Sequence, residues 1–147
     1  MGLLSLHLAA AISLAGLVLS LYLTVAPVPE FCEITSFVSC DRVLSSPYAK
    51  FLGIPTAMYG AVWFATASST AFLAVDRKPA LKLLVAWSAA GVAGVAVLVY
   101  VELFLINAVC LLCTAAHVLI LAVLGLSVYE LRRQQQTLTT KQTTQAY

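Results

Sequence analysis

The chain is 147 residues long, 62% hydrophobic and only 10% charged, with a mean hydropathy of +0.99. A soluble domain carries about 25% charged residues, so too little polar surface exists here to coat a water-soluble globule, and lipid must be the solvent for most of the chain. A formal net charge of +2, with no basic patch, gives no footing for nucleic-acid binding, and four cysteines permit two disulfides without establishing them.

Four apolar stretches are long enough to span a bilayer, at 3–26, 54–75, 80–103 and 108–131. At the helical rise per residue each makes roughly 33–36 Å of helix, against a hydrocarbon core of about 30 Å. The first reads as a span rather than a cleaved signal: no Lys or Arg precedes it, and it exceeds the roughly 7–15 apolar residues of a signal core. The expected fold class is therefore an all-α membrane protein, a four-transmembrane-helix bundle. Arg77, Lys78 and Lys82 flank the turn between the second and third spans, and Arg132, Arg133 and Lys141 follow the fourth, while Arg42 and Lys50 lie on the other side. The excess of basic residues marks the cytoplasmic side and puts both termini there. The segment 27–53 and the start of the fourth span then face outward, and all four cysteines with them. In a bacterium or archaeon that is the oxidising face of the plasma (inner) membrane, where disulfides persist.

The outer segment opens with Pro27-Val28-Pro29, which ends the first helix. Ser45-Ser46-Pro47 predicts the start of a short capping half-helix closed by Gly53, with Tyr48, Phe51 and Leu52 over the bundle mouth. Asp76-Arg77-Lys78-Pro79 is a short polar turn that makes the second and third helices antiparallel neighbours. Ala90, Gly91 and Gly94 offer the third helix a small-residue face for close approach. Residues 1–133 form one bundle domain, and the Gln- and Thr-rich segment 134–147 reads as a disordered cytoplasmic tail.

Chemistry concentrates in two cysteine pairs, Cys32 with Cys40 in the outer loop and Cys110-Leu111-Leu112-Cys113 at the start of the last helix. Cysteines at i and i+3 lie within the roughly 4.4–6.8 Å Cα separation of a disulfide, and a helix start favours a thiolate. Cys113 sits about 4.5 Å deeper than Cys110 along the helix. The shallower thiol is reachable from the loop, the deeper one from the bundle interior, and His117 follows one turn below as a hydrogen-bonding group for a quinone carbonyl. Structural disulfides and a four-thiolate metal site are the competing readings; the seven residues between Cys32 and Cys40 are long for a metal knuckle. Thr56, Tyr59 and Trp63 form either an interfacial aromatic belt or a wall for a planar ring. Glu102 is expected at the membrane interface, with a proton relay as its alternative role. Asn107 is expected to turn the chain, and His7 to snorkel at the cytoplasmic end.

Ser39-Cys40-Asp41-Arg42-Val43-Leu44-Ser45-Ser46, Gly53-Ile54-Pro55, Tyr59-Gly60 and the final Cys110-Leu111-Leu112-Cys113, in that order, resemble the vitamin K epoxide reductase family over about residues 14–131. The resemblance implies a four-helix bundle around a quinone (menaquinone, ubiquinone or phylloquinone type), capped on its outer side. It implies that Cys32 and Cys40 are a shuttle pair taking electrons from a thioredoxin-like (DsbA-like) partner. Cys40 would attack the Cys110–Cys113 disulfide at Cys110, and the freed Cys113 would reduce the quinone. Ser46, Thr56, Tyr59 and His117 match positions at the quinone pocket. His117 departs from the tyrosine of the vertebrate enzymes, which weighs against epoxide reduction and vertebrate-type inhibitor binding without deciding them. With no thioredoxin-like domain in the sequence, the partner is expected to be a separate protein. The reading from a different class is a non-enzymatic membrane protein with structural or redox-sensing disulfides.

Overall fold

The computed structural model describes residues 2–145. Among them four helices are long and apolar enough to cross a membrane: α1 (Gly2–Val25), α3 (Thr56–Asp76), α4 (Lys78–Tyr100) and α5 (Leu111–Gln145). Between the first two lie a short helix α2 (Cys40–Leu44) and a two-residue hairpin, β1 (Lys50–Phe51) with β2 (Ile54–Pro55). The long helices form a ring in which α1 packs on α3, α3 on α4, α4 on α5, and α5 back on α1. This is the all-α membrane bundle that the hydropathy requires.

Small residues let the helices close. Gly16 of α1 lies flat against the Phe64 ring of α3, and Gly60 of α3 faces Ser20 of α1. Between α3 and α4 two indoles clasp reciprocally: Trp63 Nε1 donates to the Trp87 carbonyl at 3.3 Å and Trp87 Nε1 to the Trp63 carbonyl at 3.2 Å. Gly91 makes room for that clasp. Of the small-residue face expected on α4, Gly91 is the contact, whereas Gly94 has open space beside it. Toward the end opposite the cysteines, Leu6, Ala9, Ala10, Ala71, Leu81, Leu84 and Val123 fill the interior, and Ser5 Oγ donates to Glu130 at 2.8 Å.

The outer segment differs from the single capping half-helix expected after Ser46. Pro47–Ala49 make one 3-10 turn, and the chain then extends into the hairpin. Leu52 and Gly53 at its tip have φ of 53° and 81°, the left-handed pair that a tight two-residue hairpin turn needs. Gly53 therefore turns a hairpin rather than closing a helix. Tyr48 faces the interior, but Phe51 lies against Tyr59 (ring centroids 6.1 Å apart) and Leu52 is 84% exposed, so neither covers the bundle mouth. The true short helix lies earlier, at α2, where Ser39 Oγ accepts the Arg42 N–H as an N-cap at 3.1 Å.

Past the bundle, α5 continues helically through the described part of the segment expected to be disordered, residues 134–145; 146 and 147 lie outside the described residues. Gln, Leu and Arg are good helix formers, and Thr137 Oγ1 folds back onto the Arg133 carbonyl at 3.1 Å, so its hydroxyl needs no water to be satisfied. His7 also turns inward on its own helix, its Nδ1 2.6 Å from the Leu3 carbonyl.

A Cβ built on Gly91 meets the Trp63 indole at 2.6 Å. Gly91→Ala is expected to destabilise the bundle by about 1–3 kcal/mol through overpacking, read as a lowered midpoint of thermal unfolding in detergent. Gly125→Ala, where nothing lies within 4 Å, is expected not to lower it.

Candidate functional site: two disulfides at the mouth of an interior cavity

All four cysteines are gathered at one end of the bundle, bonded Cys32–Cys40 and Cys110–Cys113 with Cα separations of 5.6 and 5.1 Å. Pro27 and Pro29 end α1, and one 3-10 turn, Glu30–Cys32, brings Cys32 inward. The chain then makes a tight turn over 34–38, where the Ile34 N–H donates to the Val38 carbonyl at 3.1 Å, before Ser39 starts α2 and points Cys40 back at Cys32. A second bridge ties this loop to the last helix. The Val109 N–H donates to the Phe37 carbonyl at 2.7 Å, and the Ser39 N–H to the Val109 carbonyl at 3.1 Å. Cys40 and Cys110 are each the next residue along, so the bridge sets them side by side. The sulfurs of Cys32, Cys40 and Cys110 all lie within 4.8 Å of one another, and all three residues are fully buried.

Cys110 occupies the N-cap position of α5. Its Sγ accepts the Cys113 N–H at 3.1 Å, the role a Ser or Asp oxygen plays at other helix starts. A thiolate on Cys110 therefore meets an aimed donor and the positive end of a helix. Cys113, one turn deeper, faces the other way, onto a cavity of about 440 Å³, within the roughly 300–1,000 Å³ of small-molecule sites. All four long helices and the cap line it, with Trp63 and Phe64 among its aromatic walls and Gly91 and Gly94 opening its α4 side.

Each residue expected at a quinone pocket lines this cavity: Ser46, Thr56, Tyr59 and His117. Their polar atoms divide into two groups. Ser46 Oγ donates to the Val43 carbonyl (2.7 Å), Thr56 Oγ1 to the Ala49 carbonyl (2.9 Å) and the Tyr59 hydroxyl to the Phe51 carbonyl (3.0 Å). These three hydroxyls hold the cap in place over the cavity. His117 differs: it is 8% exposed, and among the described residues no hydrogen bond reaches its ring. No buried side-chain nitrogen or oxygen among those residues lacks a partner, so the ring nitrogens are reached from the cavity, where a ligand's polar atom fits.

Glu102 is 6% exposed, because α4 is followed by a wide π-turn, Val101–Ile106, in which the Glu102 carbonyl accepts the N–H groups of both Asn107 and Ala108. Asn107 turns the chain as expected, with φ of 53°. The reversal brings the Glu102 carboxylate to 3.5 Å from the Cys110 N–H while it also lines the cavity. The signal for this was present, since an ionisable group inside an apolar span leans functional. The Val38–Val109 bridge and the contributions of Ser20 and Thr24 from α1 had no sequence signal.

Glu33, beside Cys32, is exposed and clasps the loop shut, its Oε1 accepting the Asp41 N–H at 2.8 Å. The Ser39 hydroxyl first, then the Asp41 N–H, hold its carboxyl below the ordinary carboxylate range.

A four-helix membrane protein with two cysteine pairs gathered against an interior cavity is the class this fold and site define. The chain belongs to the vitamin K epoxide reductase family, whose model matches residues 7–128, and is thus an integral membrane oxidoreductase. No curated protein matches it.

The Glu33 clasp has a pH dependence of fixed sign. A carboxyl whose folded pKa is depressed contributes order above its unfolded pKa, about 4.3, and loses it as pH falls through the folded value. Reduction of Cys32–Cys40 by a water-soluble phosphine is expected to run severalfold faster in Glu33→Ala than in wild type at neutral pH. The ratio of the two rates should fall toward one as pH drops through and below the carboxylate range.

Proposed function

We propose that this protein is a quinone-linked thiol–disulfide oxidoreductase: it oxidises a separate thioredoxin-like protein and passes two electrons through its two cysteine pairs to a membrane quinone in the cavity. The observation that carries this is the chain of sulfurs, with Cys32 and Cys40 within 4.8 Å of Cys110, and Cys113 bonded to Cys110 and facing the cavity. Structural disulfides gain nothing from being neighbours. A relay depends on it, because exchange proceeds by in-line attack of a thiolate on a disulfide. A disulfide bond is about 2.05 Å long, so a shift of under about 3 Å joins the pairs.

The steps balance as follows. A partner thiolate attacks Cys32, forming a mixed disulfide and freeing Cys40. Cys40 attacks Cys110, breaking the Cys110–Cys113 bond and leaving the Cys113 thiolate on the cavity wall. The partner's second thiol then releases Cys32 and departs oxidised. Cys32 attacks Cys40, restoring the loop disulfide and freeing Cys110, whose charge the Cys113 N–H receives. Cys110 and Cys113 then give two electrons to the quinone and re-form their disulfide, while two protons reach the quinone oxygens. The quinone supplies the oxidising equivalents. His117, the cavity's unpartnered polar ring, is suited to hold a quinone carbonyl, and Ser46, Thr56 and Tyr59 keep the cap closed around it.

The placement of six of the eight Lys and Arg at the opposite end from the cysteines supports a plasma-membrane orientation with the cysteines outside the cytoplasm. Disulfide formation in exported proteins is the resulting role.

The test is quinone reduction by the purified full chain, supplied with either a reduced thioredoxin-like donor or a small-molecule dithiol. Cys113→Ala is expected to drop both to the uncatalysed background. Cys32→Ala is expected to lose the protein donor, keep the small dithiol, and accumulate a Cys40–Cys110 disulfide visible in non-reducing peptide maps. Absence of quinone reduction by wild type with every donor would leave the structural or redox-sensing disulfide as the better account.

A further inference from the structure

The relay leaves a buried ionisable group beside the cysteines, Glu102, without a task. Glu102 is 6% exposed, and it belongs to a helical segment long enough to span a membrane, Lys78–Ile106. Holding a carboxyl there is costly unless it serves a function. Its backbone is fixed by the two N–H groups donated to its carbonyl from Asn107 and Ala108, so its position is not accidental slack at a helix end.

The proton inventory of the quinone step points to its use. Reducing a quinone to hydroquinone takes two electrons and two protons. The electrons come from the sulfurs of Cys110 and Cys113 as their S–S bond forms; the two thiolates that the relay leaves there first take up the two protons given up by the partner's thiols, and these are the protons the quinone receives. Cys113 lines the cavity and can deliver its proton there directly. Cys110 cannot: it is fully buried and is not part of the cavity wall. Its neighbours Cys32 and Cys40 are by then a disulfide and accept no proton. Glu102 is the side chain that both touches Cys110, at its N–H, and opens on the cavity.

We propose that Glu102 carries the proton of the quinone step, taking it from the Cys110 thiol as that sulfur closes on Cys113 and passing it to the quinone oxygen. This rests on the relay described above. The other titratable groups on the cavity wall are poorly placed for the task. Tyr48 and Lys50 belong to the cap, and the Tyr59 hydroxyl is bonded to the Phe51 carbonyl. His117 is seven residues beyond Cys110 on α5, about 10 Å along the axis. The wide π-turn gains a purpose from this, since it is what lets a residue of α4 reach back to the first residue of the Cys-x-x-Cys. Such turns recur at functional sites.

The experiment mixes prereduced full chain with a water-soluble short-chain quinone and follows a single turnover across the neutral pH range. Glu102→Gln is expected to slow hydroquinone formation by about 10²-fold or more, the usual worth of a positioned acid–base group, and to flatten the dependence on pH. Glu102→Asp, which keeps the carboxyl, should recover most of the rate. Exchange between Cys32–Cys40 and Cys110, which needs no quinone, should slow far less than hydroquinone formation in Glu102→Gln. An infrared difference spectrum of wild type, oxidised against reduced, should show a carboxyl band that moves in Glu102→Asp; this measurement does not depend on Glu102→Gln folding. A Glu102→Gln rate within about twofold of wild type, equal losses in both variants with an unchanged pH profile, or a spectrum without a carboxyl change would each overturn the proposal. If wild type itself reduces no quinone, the relay reading fails first and this proposal goes with it.

Discussion

The arrangement of the site depends on two backbone hydrogen bonds, those that join Phe37 and Ser39 to Val109. Sulfur chemistry is short-ranged: a thiolate either reaches the disulfide it attacks or does nothing. An outer loop of more than twenty residues between two long helices has no intrinsic reason to place its cysteines over the start of α5. The bridge supplies that reason at the level of the main chain, one residue before Cys40 and one residue before Cys110. The side chains can then be small and apolar, because the geometry does not rest on them. Val43, Ala108 and Cys113 pack around the sulfurs and keep water from the buried pairs.

From this anchor the rest of the outer face follows. The short helix α2 turns the chain downward, and Ser46, Thr56 and Tyr59 each donate a hydroxyl proton to a nearby main-chain carbonyl, tying the hairpin to α2 and α3. The consequence for recognition is a cavity whose hydroxyls are largely committed to the wall. What remains available is a ring on α5, His117, and a carboxyl on α4, Glu102, with Cys113 in reach of the same space. Few polar groups on an apolar surface suit a flat, mostly apolar ligand with oxygens at its edge.

The spans, their order and the grouping of the cysteines were legible because hydropathy and helix breakers act locally: Pro27 and Pro29 can only end a helix, and the apolar runs can only sit in lipid. Of the four residues assigned to a pocket, His117, Thr56 and Tyr59 were legible from their places on the helices and Ser46 came from resemblance; all of them line one cavity, but the sequence could not say which hydroxyls the cap would consume. The capping segment was misread because Gly53 stops a helix and turns a hairpin equally well, and only the pairing of Lys50 and Phe51 with Pro55 and Ile54 separates the two. Helix α2 was overlooked although Ser39 is a good N-cap, since five residues show no periodicity. The burial of Glu102 is not legible, because it arises from a π-turn and nothing in Val101–Ile106 announces one.

Burial of the sulfurs has a kinetic corollary. Cys32 and Cys40 have no exposed surface in the closed arrangement, so a partner's thiolate cannot reach them unless the loop moves. The bonds that hold it closed are a small set: the turn at 34–38, the Glu33 clasp and the bridge to Val109. Most of these lie on exposed residues with few packed neighbours, the profile of a segment that opens at low free-energy cost while the bundle stays intact. The pair beneath is different, since Cys110 and Cys113 are held by a helix start and by α4. The upper disulfide is therefore buried under a loop held by few bonds, while the lower one is set into the start of a long helix.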